Sequence, residues 1–544
     1  MRNSVLNLAF KRLAVMRVQL PHQVVGNLMP LLYCLLVVHW VLFINYGKVD
    51  FYSFDWYAIH QWLDVAKLAL RDRVIPYEVK LWSDAGPSSE LFGTKYFAMP
   101  FLTVSPQVLF LRWVSVQSFI TIQIVLAMSV SFYSLVLWKR YLHLSCFSAS
   151  VLILMWSLNG ALVGRMGVGH IQLTGYFLIP VFVYGMKLLA DSTKGAASRY
   201  VPVRNALLLS CILFVVLLQG SVHTVYQMSL IVGLFGIVFV RSLKYVMLTL
   251  AVFALLASYF IFPNVMFGAY SVISQGADVR QIFGGYGTGF SEALRSVTSI
   301  ALPDVGRLAN LTANNFAWPL LVHCFAIVSH LFLALVYPFS AWTDASWEYS
   351  VYVGPVGVLL MFLGLYGFFR GRDSSGRLFL GACRKEIVLV TIVFMLSLSV
   401  SSRAIFNLVQ QYVSFNAIDR LPTRMLLYPL FVLLLCMCIG LDRMKLRIPL
   451  LNHLWIKLGI LATLAYSLLA NSFQWSFHNI SMVSRVVEYF ARQEKPVFST
   501  SILGVTDPAY RAVVNAGFAV SLLAGVGVIG ALVFLQRRVA RYRS

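Results

Sequence analysis

Residues 25–46 read VGNLMPLLYCLLVVHWVLFINY, a stretch without a single Asp, Glu, Lys or Arg. About 20 apolar residues, rising ~1.5 Å each in a helix, cross the roughly 30 Å of hydrocarbon in a bilayer. In lipid every backbone N–H and C=O must be paired within the segment, so a run of this length predicts a transmembrane helix. Comparable runs recur at 116–138, 146–163, 171–190, 205–219, 222–240, 245–263, 350–369, 386–401, 424–441, 456–473 and 512–536. Together they predict twelve spans and put both termini on one side. The expected fold class is all-α: a polytopic integral membrane protein of about 12 transmembrane helices, whose large outer loops contain amphipathic interfacial helices.

Composition agrees. Of 544 residues, 59% are hydrophobic and only 12% charged, and the mean hydropathy is +0.79. Soluble proteins carry about 25% charged residues. A soluble enzyme, a disordered tail and a secreted disulfide scaffold are therefore excluded. The formal charge of +23 invites a nucleic-acid reading, but no soluble domain exists to carry one. Lys and Arg instead mark cytoplasmic loops. The proposed cytoplasmic segments hold 25 of the 43 basic residues, while 16 of the 20 acidic residues fall in outer loops. The seven cysteines show neither metal-ligand spacing nor a disulfide framework. Arg2, Lys11, Arg12 and Arg17 precede the first run with no small-residue cleavage site, which predicts a retained cytoplasmic lead.

This divides the chain into a cytoplasmic segment (1–24), a transmembrane module (25–442) with outer loops 47–112, 264–349 and 402–423, and a C-terminal part (443–544). The last has an outer loop at 474–511 and a basic tail. Residues 316–338, FAWPLLVHCFAIVSHLFLALVYP, are also apolar enough to span. A span there would turn the basic loops Arg370 to Lys385 and Arg443 to Lys457 outward, so the segment is read as interfacial or re-entrant. His323 and His330, seven residues apart, make a polar stripe on it in preference to a metal pair.

Polar material collects in the outer loops, where chemistry is to be sought. In the first, apolar residues recur at Trp56, Ile59, Leu63, Ala66 and Leu70, the spacing of an amphipathic helix lying in the interface. Asp55 stands at its start. It can serve as the N-cap or, near the membrane surface, as a general base; Asp50 and Asp64 are reserves. The second outer segment, Gly164 to His170, is glycine-rich and reads as a tight turn. Its Arg165 and His170 fit a phosphate or sugar contact, since Arg offers a bidentate fork; the competing reading is a snorkelling Arg and a capping His. Gln219 to His223 form a similar polar turn, expected on the same face. Ser291 to Leu302 read as a short helix carrying Glu292 and Arg295. Arg420 and Arg424 stand at the entrance of a span, where they can neutralise a lipid phosphate or simply anchor the helix. No motif supports a metal or other cofactor, although a divalent metal stays possible. The sequons at Asn310 and Asn479 are short enough to arise by chance.

Four stretches carry a resemblance: FDWYAIHQWLD with LRDRVIPYEV; GHIQLTGYFLIPVFVYGMKLL; SEALRSVTSIALPD with WEYSVYVGPVGVLLMFLGLYGFF; and RLPTRMLLYPLFVLLLCMCIGLD. In their order and loop placement over residues 51–442 the chain resembles the GT-C superfamily of multi-pass glycosyltransferases, and within it the bacterial YfhO-like membrane proteins. The first loop departs from that superfamily in lacking an adjacent Asp-Glu or Asp-x-Asp pair. The resemblance implies inverting transfer of a sugar from a polyprenyl-phosphate donor, on the outer face of the cell membrane, to a hydroxyl of a glycan, glycolipid or protein acceptor. It implies Asp55 as the base, with Asp50, Asp64 and Glu292 in reserve. Arg165, His170, Arg295, Arg420 and Arg424 become candidates for the donor's phosphate and sugar. The rivals are a polymerase or ligase using diphosphate-linked glycans, a lipid-linked sugar transporter, and a non-catalytic assembly factor.

Overall fold

The computed structural model describes residues 22–45, 56–81, 92–95, 97, 105–167, 169–195, 200–239, 242–267, 335, 351–370, 391, 427–444, 453–491, 502–503 and 507–541. Its helices are α1 His22–Asn45, α2 Trp56–Asp72, α3 Val116–Tyr141, α4 Cys146–Ser157, α5 Gly160–Gly167, α6 Ile179–Gly195 and α7 Tyr200–Leu218. They continue with α8 Val222–Val238, α9 Leu243–Leu256, α10 Ser258–Phe267, α11 Gly354–Arg370, α12 Leu427–Met444, α13 Leu454–Ala491 and α14 Pro508–Arg541. Two 3-10 helices, Pro106–Arg112 and Ile171–Leu178, precede α3 and α6. Among the described residues seven helical stretches are long and apolar enough to cross a membrane, or eight if the bent pair α9–α10 is one span; α1, α8 and α11 contain shorter apolar helices. The protein is a predominantly helical membrane protein.

Hydrogen bonds gather the helix ends into two faces. On one, Tyr141 donates to Asp191 (2.5 Å), Asn205 to the Leu188 carbonyl (3.0 Å) and Arg204 to Gln536 (3.2 Å). Thr193 and Ser242 share a bond of 2.9 Å there. The basic ends of α3, α11, α12 and α14 lie on this face. On the opposite face the Gly160 N–H donates to the Tyr352 carbonyl (2.9 Å), Tyr428 to the Thr224 carbonyl (3.2 Å) and the Gly175 N–H to Ser221 Oγ (3.1 Å).

Asp442 joins the C-terminal end of α12 to the start of α4. Ser145 caps α4 by accepting from the Ser148 N–H (3.2 Å). The Asp442 carboxylate then accepts from the Ser145 N–H (2.8 Å), Ser145 Oγ (2.6 Å) and Ser148 Oγ (2.7 Å). A carboxylate beside the free N–H groups at a helix start is favourable on charge as well as on bonding. Asp442→Ala is expected to cost about 1–3 kcal/mol of stability, read as a lower thermal midpoint in detergent. An unchanged midpoint would mean that water replaces the carboxylate without loss.

Several expectations need correcting. The all-α class holds, with one small sheet that the outer-loop reading lacked: Glu78–Leu81 (β1), Phe92–Lys95 (β2) and Ile502–Leu503 (β3) pair antiparallel in the order β2-β1-β3. Val79 pairs with Thr94 on one side and Ile502 on the other. The segments 47–112 and 474–511 are thereby joined, whereas local sequence treats them as separate loops. The stretch 474–491, expected as loop, continues α13. The sequon at Asn479 is therefore helical. The predicted span 146–163 holds within one stretch, Cys146–Gly167, but its helix is interrupted where Asn159 accepts from the Leu162 N–H (3.0 Å) and donates to the Trp156 carbonyl (2.6 Å). The span 245–263 bends by 75° between α9 and α10. There the Tyr259 N–H donates to Ser521 of α14 (3.0 Å), so a backbone group freed by the bend finds a partner on a neighbour.

The amphipathic helix α2 exists, but it buries two sides. Leu63 and Ala66 join the main core. Trp62 and Val65 join a second cluster with Tyr77, Phe97, Tyr510 and Val514. It is wedged between the bundle and the start of α14 instead of lying freely in the interface. Of the span 386–401 only Thr391 is described, and of the segment 316–338 only Leu335, whose carbonyl accepts from the Val353 N–H (3.0 Å); His323 and His330 lie outside the described residues.

Candidate functional site

The site grows from the break at Asn159. Helix α5 restarts there and is buried along its whole length, so Arg165 on it is carried inward. The expected tight turn Gly164 to His170 is corrected: Gly164 to Gly167 are helical, and the bend falls at Gly169, whose φ of +92° suits glycine. The His170 N–H then donates back to the Arg165 carbonyl (2.9 Å), and the His170 carbonyl accepts from the Leu173 N–H (2.8 Å). This places the 3-10 helix Ile171–Leu178 against α5.

Arg165 is 1% exposed. Its guanidinium sits 5.2 Å from the centre of the Tyr176 ring and donates to the Ala161 carbonyl at 3.4 Å. The snorkelling alternative is thus overturned, because a snorkelling Arg keeps its head in water. His170 is 8% exposed and takes the N-cap position of the 3-10 helix that follows it without a side-chain cap bond, so the capping alternative holds in position and leaves the imidazole's role open. A cation taken into a membrane bundle is costly and marks a functional position by default.

Around Arg165 the same end of the bundle is unusually polar for its burial. Trp40 packs edge-on against Phe177 at 5.4 Å, next to Tyr176. Its neighbour His39 meets Ser472 at 3.0 Å. The indole N–H groups of Trp40 and Trp475, both atoms of the Asn471 amide, and the hydroxyls of Ser157 and Thr174 are buried without a hydrogen-bond partner among the described residues. Buried polar groups normally find a protein, water or ligand partner. A buried polar region with one guanidinium suits an anionic, hydroxylated molecule. The expectation that Gln219 to His223 border the same face is met through Ser221, which holds Gly175 of the 3-10 helix. Gln219 accepts from Gln107 (2.8 Å) and from Gln123, tying the end of the segment 47–112 to this end of the bundle.

Of the other predicted residues, Asp64 is exposed on α2 while Leu63 and Val65 beside it are buried. Partial desolvation raises its pKa above the ordinary carboxylate value and Lys67 pulls it back down. Lys67 itself donates to the Val114 carbonyl (3.0 Å). Helix α2 starts at Trp56, directly after Asp55. Asp50, Asp55, Glu292, Arg295, Arg420 and Arg424 lie outside the described residues. Sequence reasoning missed Trp40, Thr174, Tyr176, Asn471 and Trp475. A signal existed for the last pair, since Asn471 and Trp475 continue the i, i+3/i+4 row of Leu464 and Leu468. No group of three metal-binding side chains occurs among the described residues.

No family model, no curated protein and no solved structure matches this chain.

Proposed function

We propose that the protein is a GT-C-type membrane glycosyltransferase of twelve spans, moving a sugar from a polyprenyl-phosphate donor to an acceptor hydroxyl on the outer face. The observation that carries this reading is Arg165, a buried guanidinium at the end of the bundle opposite the basic helix ends. A lipid donor must reach its site from the bilayer, and its leaving phosphate needs a cation as the glycosidic bond breaks. In the reaction Asp55 takes the proton of the acceptor hydroxyl. The acceptor oxygen attacks the anomeric carbon from the face opposite the leaving group. The C–O bond to phosphate then breaks, the polyprenyl phosphate departs with the electron pair, and the anomeric centre inverts. Arg165, with His170 and the loop arginines Arg295, Arg420 and Arg424, meets the charge developing on the phosphate. Asp50, Asp64 and Glu292 are alternative bases.

Helix direction supports the span count. Helices α11 and α12 run parallel: Gly364 packs on Met437, and Gly367 on Gly440 and Met444. Both helices therefore run from the opposite face to the basic face, which agrees with a span at 386–401, the apolar run between them in the sequence. Helix α10 ends where α14 begins, with Phe267 on Tyr510 at 5.3 Å. Helix α11 starts on that same face. The end of α10 and the start of α11 thus share one face, which agrees with a re-entrant 316–338. The basic ends make the other face cytoplasmic. Reporters fused after Arg17 and after Ser544 are expected to report the cytoplasm, and one inserted at Asn310 the outside. An outside signal at Ser544 would overturn the twelve-span reading.

One rival gains from the structure. A lipid-linked sugar transporter is expected to bury ionisable groups and to break helices; Arg165 is buried, and the pair α9–α10 is bent by 75°. Proteoliposomes loaded with a labelled polyprenyl-phosphate sugar separate the two. Covalent transfer of label to an acceptor supports the transferase, and movement of intact donor across the bilayer without transfer sinks it.

A further inference from the structure

We propose that the groove between α7 and α14 on the basic face is a binding site for an anionic phospholipid of the cytoplasmic leaflet. The groove has a volume of about 540 Å³ and is lined by Arg204, Leu208, Leu532, Val533, Gln536 and Arg537. The inference rests on the orientation argued above and is independent of the glycosyl-transfer reading.

The lining is sorted by depth. Helix α7 enters the membrane at this face, so Leu208 lies one turn deeper than Arg204. Helix α14 leaves the membrane here, so Leu532 and Val533 lie one turn deeper than Gln536 and Arg537. Two guanidiniums and an amide therefore stand at headgroup level over an apolar wall at acyl-chain level. That is the chemical profile of a phospholipid read along the bilayer normal. The six residues contain two cations and no anion, so a net negative headgroup is selected over a zwitterionic one.

Arg204 is also held in position. Its Nη1 donates to Gln536 Oε1 (3.2 Å) and its Nη2 to Asn205 Oδ1 (3.2 Å). Asn205 is fixed in turn by its bond to the Leu188 carbonyl on α6 (3.0 Å). With Gln536 Oε1 engaged by Arg204, its amide nitrogen keeps two donors to offer a phosphate oxygen. Arg537 is exposed, so its charge is available at the mouth of the groove. Cations near an anionic surface act together through both charge and fork geometry.

The test uses the full chain purified in detergent and titrated with short-chain phosphatidylglycerol, phosphatidylcholine or inorganic phosphate. Thermal shift and native mass spectrometry serve as readouts. Phosphatidylglycerol is expected to bind and raise the midpoint, with phosphatidylcholine and phosphate far weaker. The Arg204→Gln/Arg537→Gln protein is expected to lose about 30-fold in apparent affinity for phosphatidylglycerol. Arg537→Gln alone, at an exposed position, is expected to lose about 5-fold and guards against a folding defect in the double variant. Arg140→Gln, at another basic end of the same face, is expected to bind like the wild type. Equal binding of phosphatidylcholine, an equal shift by inorganic phosphate, or unchanged affinity in the double variant would each overturn the proposal.

Discussion

Arg165→Gln is expected to fold at least as stably as the wild type and yet to transfer sugar about 10²-fold more slowly. The two halves of this result have opposite physical origins. Arg165 is 1% exposed and lies over the Tyr176 ring. Removing a buried charge while keeping a hydrogen-bonding side chain of similar length relieves a desolvation cost of several kcal/mol. A residue whose purpose was architectural would instead lose stability on substitution. If the guanidinium meets the leaving phosphate, the loss appears where charge develops, in the chemical step. Removing one such preorganised donor costs about 10²–10³ in kcat. Arg165→Lys keeps the charge but loses the fork, so it should recover part of the rate. The measurement is transfer of labelled sugar at saturating donor, beside the thermal midpoint in detergent. A variant that is less stable and fully active would remove Arg165 from the mechanism.

The second large effect concerns Asp55. Helix α2 starts at Trp56, so Asp55 occupies the cap position in sequence. Asn caps helices about as well as Asp. Asp55→Asn therefore preserves the start of α2 while removing the ability to take a proton. With Asp55 as the base, the variant should fold and bind donor but lose about 10²-fold or more in turnover. With Asp55 as a cap alone, the variant should work almost normally. Near-wild-type turnover in a stable protein would move the base to Asp50 or Asp64. Asp64 carries a testable mark of its own: partial desolvation raises its pKa, so a reaction using it as base should lose rate as pH falls through a value above the ordinary carboxylate range.

Much of the helical framework was legible in the apolar runs. Each predicted run except 386–401 falls on a described helix, and α2 was visible in its 3.6-residue pattern. Hydropathy is a local property, and lipid demands a helix wherever it persists. The resemblance to glycosyltransferases was likewise read from local stretches, and its functional content waits on the experiments above.

The amino-acid sequence by itself determined that this is a helical membrane protein and that basic residues mark one face. Tertiary structure alone decided the fate of the polar residues inside apolar runs. Whether Arg165 reaches water or turns into the bundle depends on the break at Asn159 and on Tyr176. The fate of Asn471 and Trp475 depends on where α13 lies against the bundle. The pairing of β1 with β3 joins residues more than 400 positions apart, and the parallel seam of α11 and α12 depends on Gly364, Gly367 and Gly440 meeting across helices. Local composition cannot encode these outcomes, because burial, close backbone approach and hydrogen-bond partners are supplied by distant parts of the chain. A helix carries its apolar length in its own residues, but which neighbour each of its faces meets is settled only when the bundle packs.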